Sequence, residues 1–490
     1  MPHRAPWTYL SLRVILVATL ILAAASACTS TPQTEAPSPV ARTQPSATLM
    51  TEPTLTDTPN PTNTPQPTST SAPTSAPSPT PTSTPEPTPM DTPIPGTLPP
   101  PTGTPSLGEI AAEPNTVTVC ADGCDFTTIQ SAIDDAGTLA GDVIYVTDAT
   151  HTEAGVTVNK DVTLRGQSAD QTTVQAHKRA GEARDRVFFV PKGVSATIKE
   201  MTIRHGYPRE DIRSGGAIEN RGTLTVSRCV IRDNQANCGA GIYNEGGTLT
   251  VANTTISDNE ADGKGPIGYA CGAGGAIKVT EAGTLTLTNS TLTRNRAKLR
   301  GGALHVSCKS TATLINSTIS GNFAGGRGGG VNLGGSVHLT HCTITGNSAK
   351  GLLRNNRLDN NPAGGVSVRG TLHYTNTLIA NNPKGGDCVV GGSGLIGANV
   401  YNLVEDGGCS PVFSGDPAID DLADNGGDTE TRALPPDSLA LDAIPADACP
   451  LSTDQRGYTR PVAQTSPDTP CDIGAFELGG ETLDQDTVER

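Results

Sequence analysis

Aromatic side chains are scarce in this 490-residue chain: Phe, Trp and Tyr make up 3% of it, with a single Trp. A core built on rings is excluded, so buried volume must come from aliphatic residues in many small parcels. Basic residues are also in deficit, 34 Lys and Arg against 49 Asp and Glu, for a formal charge of −15. Residues 1–106 hold three Arg and five acidic groups, leaving about −13 for the rest. An acidic body with scattered cations argues against nucleic acid as a partner. Neutral glycans, specific acidic sugars, proteins and cations stay open. No apolar run is long enough to cross a bilayer comfortably, the longest being VILVATLILAAASA at residues 14–27. Amphipathic helical periodicity is absent between residues 198 and 382, which excludes the helical repeat families.

What is abundant is Gly, 55 residues, and Pro, 39 residues, and each is concentrated in its own region. Residues 29–106 are almost entirely Pro, Thr and Ser. Such a segment cannot bury a core, and dense Pro favours an extended polyproline conformation. At ~3.1 Å per residue it could reach up to ~240 Å, the dimensions of a disordered stalk. Ahead of it, His3, Arg4 and Arg13 precede the apolar run, as in a signal peptide. Ala25, Ser26, Ala27 and Cys28 resemble a bacterial lipobox, whose Cys is lipidated after cleavage, while Ala25-Ser26-Ala27 also fits an ordinary A-x-A cleavage site. The sequence therefore divides into a signal peptide (1–27), a lipid-anchored Pro/Thr/Ser linker (28–106), a folded region (115–409), a C-terminal cap (410–480) and a tail (481–490). The expected location is extracytoplasmic, at the cell surface, with membrane contact only through the N-terminal lipid.

The glycines belong to a sevenfold repeat. Each copy has a small-residue run such as GGAI, a strand such as GTLTV, a short turn, and a TxI strand ending in Asn. The last column reads Gly206, Asn234, Asn259, Asn295, Asn322, Asn347 and Asn382. Its spacing defines a unit of about 25 residues with occasional insertions, within the range of solenoid repeats. Within each unit apolar residues alternate, as in Leu224 and Val226 or Leu249 and Val251, which is the period of a strand with one buried face. No unit can bury that face alone. Stacking each on its predecessor makes a continuous core, and the predicted fold is all-β, a parallel β-solenoid. The Asn column, and a second one of Asn253, Asn289, Asn316 and Asn376, read as turn residues with left-handed backbone and as amide ladders up the stack.

TTIQSAI followed by GDVIYV, at residues 127–146, predicts a helix over 127–136 and then a strand. This pattern resembles the entry of the right-handed parallel β-helix superfamily that includes pectate lyases, and implies a helix capping the open end of the solenoid. Residues 424–427, 453–457 and 472–477 resemble the tail of the bacterial surface β-helix group called choice-of-anchor Q proteins. That resemblance implies a surface location and brings no shared activity.

Twelve Cys suit an oxidising exterior. With Cys28 lipidated, 11 remain and at least one is unpaired. Cys120 with Cys124, Cys238 with Cys271, Cys388 with Cys409, and Cys449 with Cys471 are the candidate disulfides. Cys229 and Cys342 share a column four coils apart, ~19 Å at strand spacing, too far to bond. They read as small core residues. No C-x2-C pair or clustered His points to a metal site.

Function must reside on the outside. After each small-residue run an inward residue is followed by an outward one, and that column reads Glu219, Tyr243, Lys278, His305, Asn332 and Ser367. It is expected to be exposed, flanked by loops 207–214, 260–272 and 350–362, with Glu219, Tyr243, Lys278, His305 and Asn332 as ligand contacts for a polysaccharide or cell-surface glycan. A surface-displayed, non-catalytic glycan-binding or cell-contact protein is one reading. The alternative is a polysaccharide lyase or glycoside hydrolase, in which His305 beside Lys278 and Arg327 would abstract a proton, or Glu219 would act as an acid. Glu219 is the one carboxylate in that column, and GHG and RIK signatures are missing. No cofactor is implied beyond Ca²⁺ at Asp416, Asp420, Asp421, Asp424 and Asp428, whose spacing is not that of an EF-hand.

Overall fold

Successive coils place equivalent strands side by side in three parallel sheets of 11, 9 and 10 strands. The computed structural model describes residues 115–209, 214–264, 271–351, 362–460 and 469–480. The expected signal peptide, Cys28, the stalk and the 481–490 tail lie outside the described residues, as do the centres of the three loops, 210–213, 265–270 and 352–361.

The eleven-stranded sheet holds strands such as Thr223–Ser227, Thr248–Ala252, Thr284–Thr288 and Thr311–Ile315. The nine-stranded sheet includes Ile218–Asn220, Ile242–Glu245, Ile277–Thr280, Leu304–Val306 and Val331–Leu333, and the ten-stranded sheet Val230–Arg232, Thr255–Ser257 and Thr291–Thr293. Registers are equivalent residue to equivalent residue: Leu224 opposite Leu249, Ile218 opposite Ile242, Ile231 opposite Ile256. Period-two alternation sends Leu224, Val226, Leu249 and Val251 into the common core, each at most 1% exposed. A short ladder, Gln235–Ala236 through Ser348–Ala349, adds a fourth wall of five strands.

The two Asn columns divide the work that the sequence assigns to both. Asn234, Asn259, Asn295, Asn322 and Asn347 form an amide ladder, each Nδ2 donating to the Oδ1 one coil on at 2.9–3.1 Å. These residues do not carry positive φ. Left-handed geometry falls instead on their predecessors, including Asp233 (56°), Asp258 (56°) and Arg294 (55°), and on the second column, Asn253 (48°), Asn289 (49°), Asn316 (44°) and Asn376 (54°). Arg228 and His341 hold the same conformation at 49° in that second column, where the turn geometry overrides side-chain preference.

The expected helix is present but shorter, Ile129–Asp134, with Thr128 as N-cap. Its buried Ile129, Ala132 and Ile133 join the main core. Glu153 supplies the N-terminal partners, its carboxylate accepting from the Ile129 and Gln130 amides at 2.7 and 3.0 Å.

The C-terminal region departs from an end cap. Cys409 and Phe413 meet the last coil, through the Tyr374 hydroxyl at 2.8 Å and a bridge to Leu403. Residues beyond them double back along the ten-stranded sheet. Gln455 takes a hydrogen bond from Thr318 and donates to Thr291, Thr453 O accepts from Asn316, and Ala475 N donates to Thr343. The three pieces that resemble the choice-of-anchor Q tail meet in this segment. Asp454 pairs with Arg456 at 2.7 Å and accepts from Glu477 N, while Arg456 lies over the Tyr458 and Phe476 rings and donates to Asn425 O. Their chemistry there is structural.

All four candidate disulfides form, with Cα separations of 5.5–6.3 Å. Cys229 and Cys342 are buried thiols that donate to neighbouring carbonyls, and burial pushes both up to about 12. A thiolate is the reactive form. Peptide-level alkylation with iodoacetamide at pH 8 is therefore expected to leave both unlabelled in the folded protein and to label both after denaturation.

Candidate functional site

The expected outward column exists in register: Glu219, Tyr243, Lys278, His305, Asn332 and Ser367 are consecutive partners across the nine-stranded sheet. It is not exposed, contrary to expectation. Glu219, Tyr243, Asn332 and Ser367 are 3–8% exposed, and Lys278 and His305 are half-buried. The cause is the small-residue run. Gly239 and Gly274 adopt φ of 55° and 68° and fold back over the strand that follows, so close that a Cβ would lie 2.9 Å from that of Tyr243 and 2.8 Å from that of Lys278. Only Gly combines that φ with that approach. The residues just before, Ser214, Cys238, Ala273, Arg300 and Arg327, pair in a further ladder along one edge.

At one end of the column Glu219 is held by two cations. Arg186 and Arg221 each approach its carboxylate at 2.8 Å, and Arg221 also reaches Glu245 at 2.8 Å. Burial raises the Glu245 carboxyl, partly countered by Arg221. Sequence reasoning missed Arg186, Arg221 and Glu245. Glu245 and Arg221 lie two residues beyond column members and were visible in principle, whereas Arg186 comes from the preceding coil. Two carboxylates thus share the Arg221 guanidinium, and Arg186 brings a second cation to Glu219.

The centre of the column is cationic. The Lys278 ammonium lies over the Tyr243 ring, 5.4 Å from its centroid, and 3.1 and 3.4 Å from the sulfurs of Cys271 and Cys238. Burial pulls it down to about 8, opposed by Glu245 and Glu281 and reinforced by Arg300. His305, next in the column, falls to about 3 through burial and the charges of Lys278 and Arg300, opposed by hydrogen bonding with Asn332. Its Nδ1 has no hydrogen-bond partner, and neither has Nδ2 of Asn332 on the following strand. Adjacent buried polar groups without partners are uncommon in native proteins and mark a place where something else completes them.

Elsewhere, Asp416 and Asp424 cap the turns at Ala418 and Gly426, and Asp421 pairs with Arg432 at 3.3 Å. His341, Cys449 and Cys471 bring ligand-type atoms within 4.8 Å of one another. Two of these are joined in a disulfide, and His341 faces Arg460 and Asn376, so no thiolate is offered there.

Residues 186–353 and 272–402 match the family model described as the right handed beta helix region. With the sheet topology, this makes the fold a right-handed parallel β-helix. No curated protein sequence matches the chain. Among solved structures, pectate lyase Pel9A is similar at 14% identity, over 74% of this chain and 97% of its own, with a TM-score of 0.44. Pectin methylesterase PemA from Erwinia chrysanthemi shares 14% identity over 67% of this chain and 87% of its own, at 0.27. A pectin methylesterase mutant in complex with hexasaccharide IV shares 14% over 54% and 80%, at 0.29.

Proposed function

We propose that the protein is a surface-displayed β-helix that binds glycans along the outer side of its nine-stranded sheet without cleaving them. The observation that carries this reading is the row Lys278, His305 and Asn332, a half-buried lysine followed by an imidazole whose Nδ1 and an amide whose Nδ2 have no partner. An ammonium and two unsatisfied ring or amide groups suit sugar hydroxyls and carboxylates. Catalysis has less support. His305 at about 3 is a weak base at neutral pH, and Glu219 is occupied by two arginines. The stalk and N-terminal lipid of the sequence reading would hold this row away from the membrane.

The test uses the full chain against a panel of uronate-containing and neutral polysaccharides, read by affinity electrophoresis. Retention by at least one polymer is expected, weakened about tenfold in Asn332→Leu, the loss of one or two hydrogen bonds. Unsaturated uronate or reducing ends that disappear in His305→Ala would replace this reading with the lyase or hydrolase. Neither retention nor turnover would leave a spacer or protein-contact role.

A further inference from the structure

The three sheets differ in what lies over them. The nine-stranded sheet is overlaid by its own glycine run, and the ten-stranded sheet takes the C-terminal segment along its flank. The eleven-stranded sheet shows another pattern. Five successive coils present a pair of hydroxyls on its outer side: Ser195 and Thr197, Thr223 and Thr225, Thr248 and Thr250, Thr284 and Thr286, Thr311 and Thr313, all in register. Thr223, Thr248, Thr284 and Thr286 are exposed and the other threonines of the array half-buried.

From Thr223 to Ile315 this side has 12 outward positions, of which nine are Thr, and none is charged, in a chain that is 17% charged. Thr is itself a favoured strand residue, so what sets this stretch apart is the lack of any Lys, Arg, Asp or Glu over 12 outward positions. The register runs without a bulge here, the first irregularity falling between Leu372 and Tyr374. The three loop insertions all leave the coil before the nine-stranded sheet, so none interrupts the array. None of the paired Thr hydroxyls from Thr223 to Thr313 donates to another residue among those described.

The array is a two-dimensional lattice. Equivalent hydroxyls recur every ~4.8 Å across strands and every ~6.7 Å along each strand. The β-branched side chain is stiff at χ1, so methyls and hydroxyls repeat together. We propose that this face binds ice. Rows of water oxygens in an ice crystal recur on much the same two spacings, and a rigid hydroxyl lattice can anchor such rows while the methyls between them shed disordered water. Freedom from charge suits that partner, because ionic groups hold their own hydration shells.

Other occupants fit less well. A polyanion would need cations, which these 12 positions lack, the nearest in register being Lys199 at the edge of the array. A single sugar chain would be expected to find aromatic platforms, and none stands among these 12 positions. A protein interface centres on large anchors such as Trp, Tyr or Arg, also missing here. The inference is independent of glycan binding on the nine-stranded sheet.

The full chain is frozen slowly from dilute solution on a cold finger, and its partition between ice and liquid is measured alongside the shape of single crystals grown in it. The expected result is enrichment in ice and faceted crystals. Both are lost in the double variant Thr248→Tyr, Thr284→Tyr with its circular dichroism and melting unchanged, and both are kept in Lys278→Met. Should the double variant fold poorly, Thr286→Lys at a single exposed position must give the same loss. Exclusion of the unmodified protein from ice, like a bulk solute, overturns the proposal. So does equal enrichment of folded Tyr or Lys variants, and so does adsorption to crystalline cellulose combined with exclusion from ice.

Discussion

Asn295→Leu is expected to lower stability by about 3–6 kcal/mol, because it opens the amide ladder at its middle and strands two or more buried polar groups. Asn295 Nδ2 donates to Ile256 O, Thr293 O and Asn322 Oδ1 at 2.8–3.0 Å, and its Oδ1 accepts from the backbone and side-chain nitrogens of Asn259 at 3.1 and 3.0 Å. Leu fills a similar volume and restores none of these bonds. Each buried group left unsatisfied costs about 1–3 kcal/mol. Asn289→Gly is the matched control. Asn289 supplies left-handed backbone at 49°, which Gly adopts freely, so its effect should stay within about 1 kcal/mol. The midpoint of urea unfolding, followed by circular dichroism, reads both. A loss for Asn295→Leu no larger than that of the control would show that the ladder follows from the coil stack and does not hold it.

Lys278→Met is expected to raise stability at pH 7 by about 2 kcal/mol, the lysine's burial cost discounted for its partial exposure, while removing glycan retention. Burial lowers the Lys278 ammonium from its ordinary 10.5 to about 8. Between those values the unfolded chain binds more protons than the folded one, so stability of the unmodified protein rises with pH through that window. Below about 8 the cost of the buried charge is present in full, and above 10.5 it is gone. The advantage of Met is therefore largest at pH 7 and shrinks toward pH 10.5. Denaturant titrations at pH 7 and pH 10 measure the difference. An advantage that is equal at both values would assign the effect to packing against Tyr243 and the disulfide, and a destabilised variant at pH 7 would refute the burial cost.

The repeat was legible because period-two alternation and a recurring Asn survive every insertion, and together they leave a parallel stack as the way to bury Leu224, Leu249 and their equivalents. The same letters hid a division of labour. Asn234 and Asn253 are one residue type at similar intervals, yet one bonds along the stack and the other bends the chain. That distinction lies in φ, which composition does not encode. The row Glu219 to Ser367 was legible as a row, but its cover was not, since the covering group is the backbone of Gly239, Gly274 and their equivalents. Likewise Arg186 is far from Glu219 in the chain, and only the coil length brings them together. The tail motifs were legible as a resemblance. Their docking was not: Gln455 meets Thr318 and Thr291 at sequence separations of 137 and 164, and no local pattern announces partners so distant.

Those long-range bonds bear on how the stack comes apart. A solenoid whose coils touch only their neighbours can unravel from either end, one rung at a time. Here a single returning segment is fastened to Asn289, Thr291, Asn316, Thr318, Thr343 and Asn376, which belong to several different coils. Peeling the last rung requires detaching a strap that also grips the middle ones. The C-terminal half is thus expected to open together as a bound sheaf, with fraying left to the N-terminal coils.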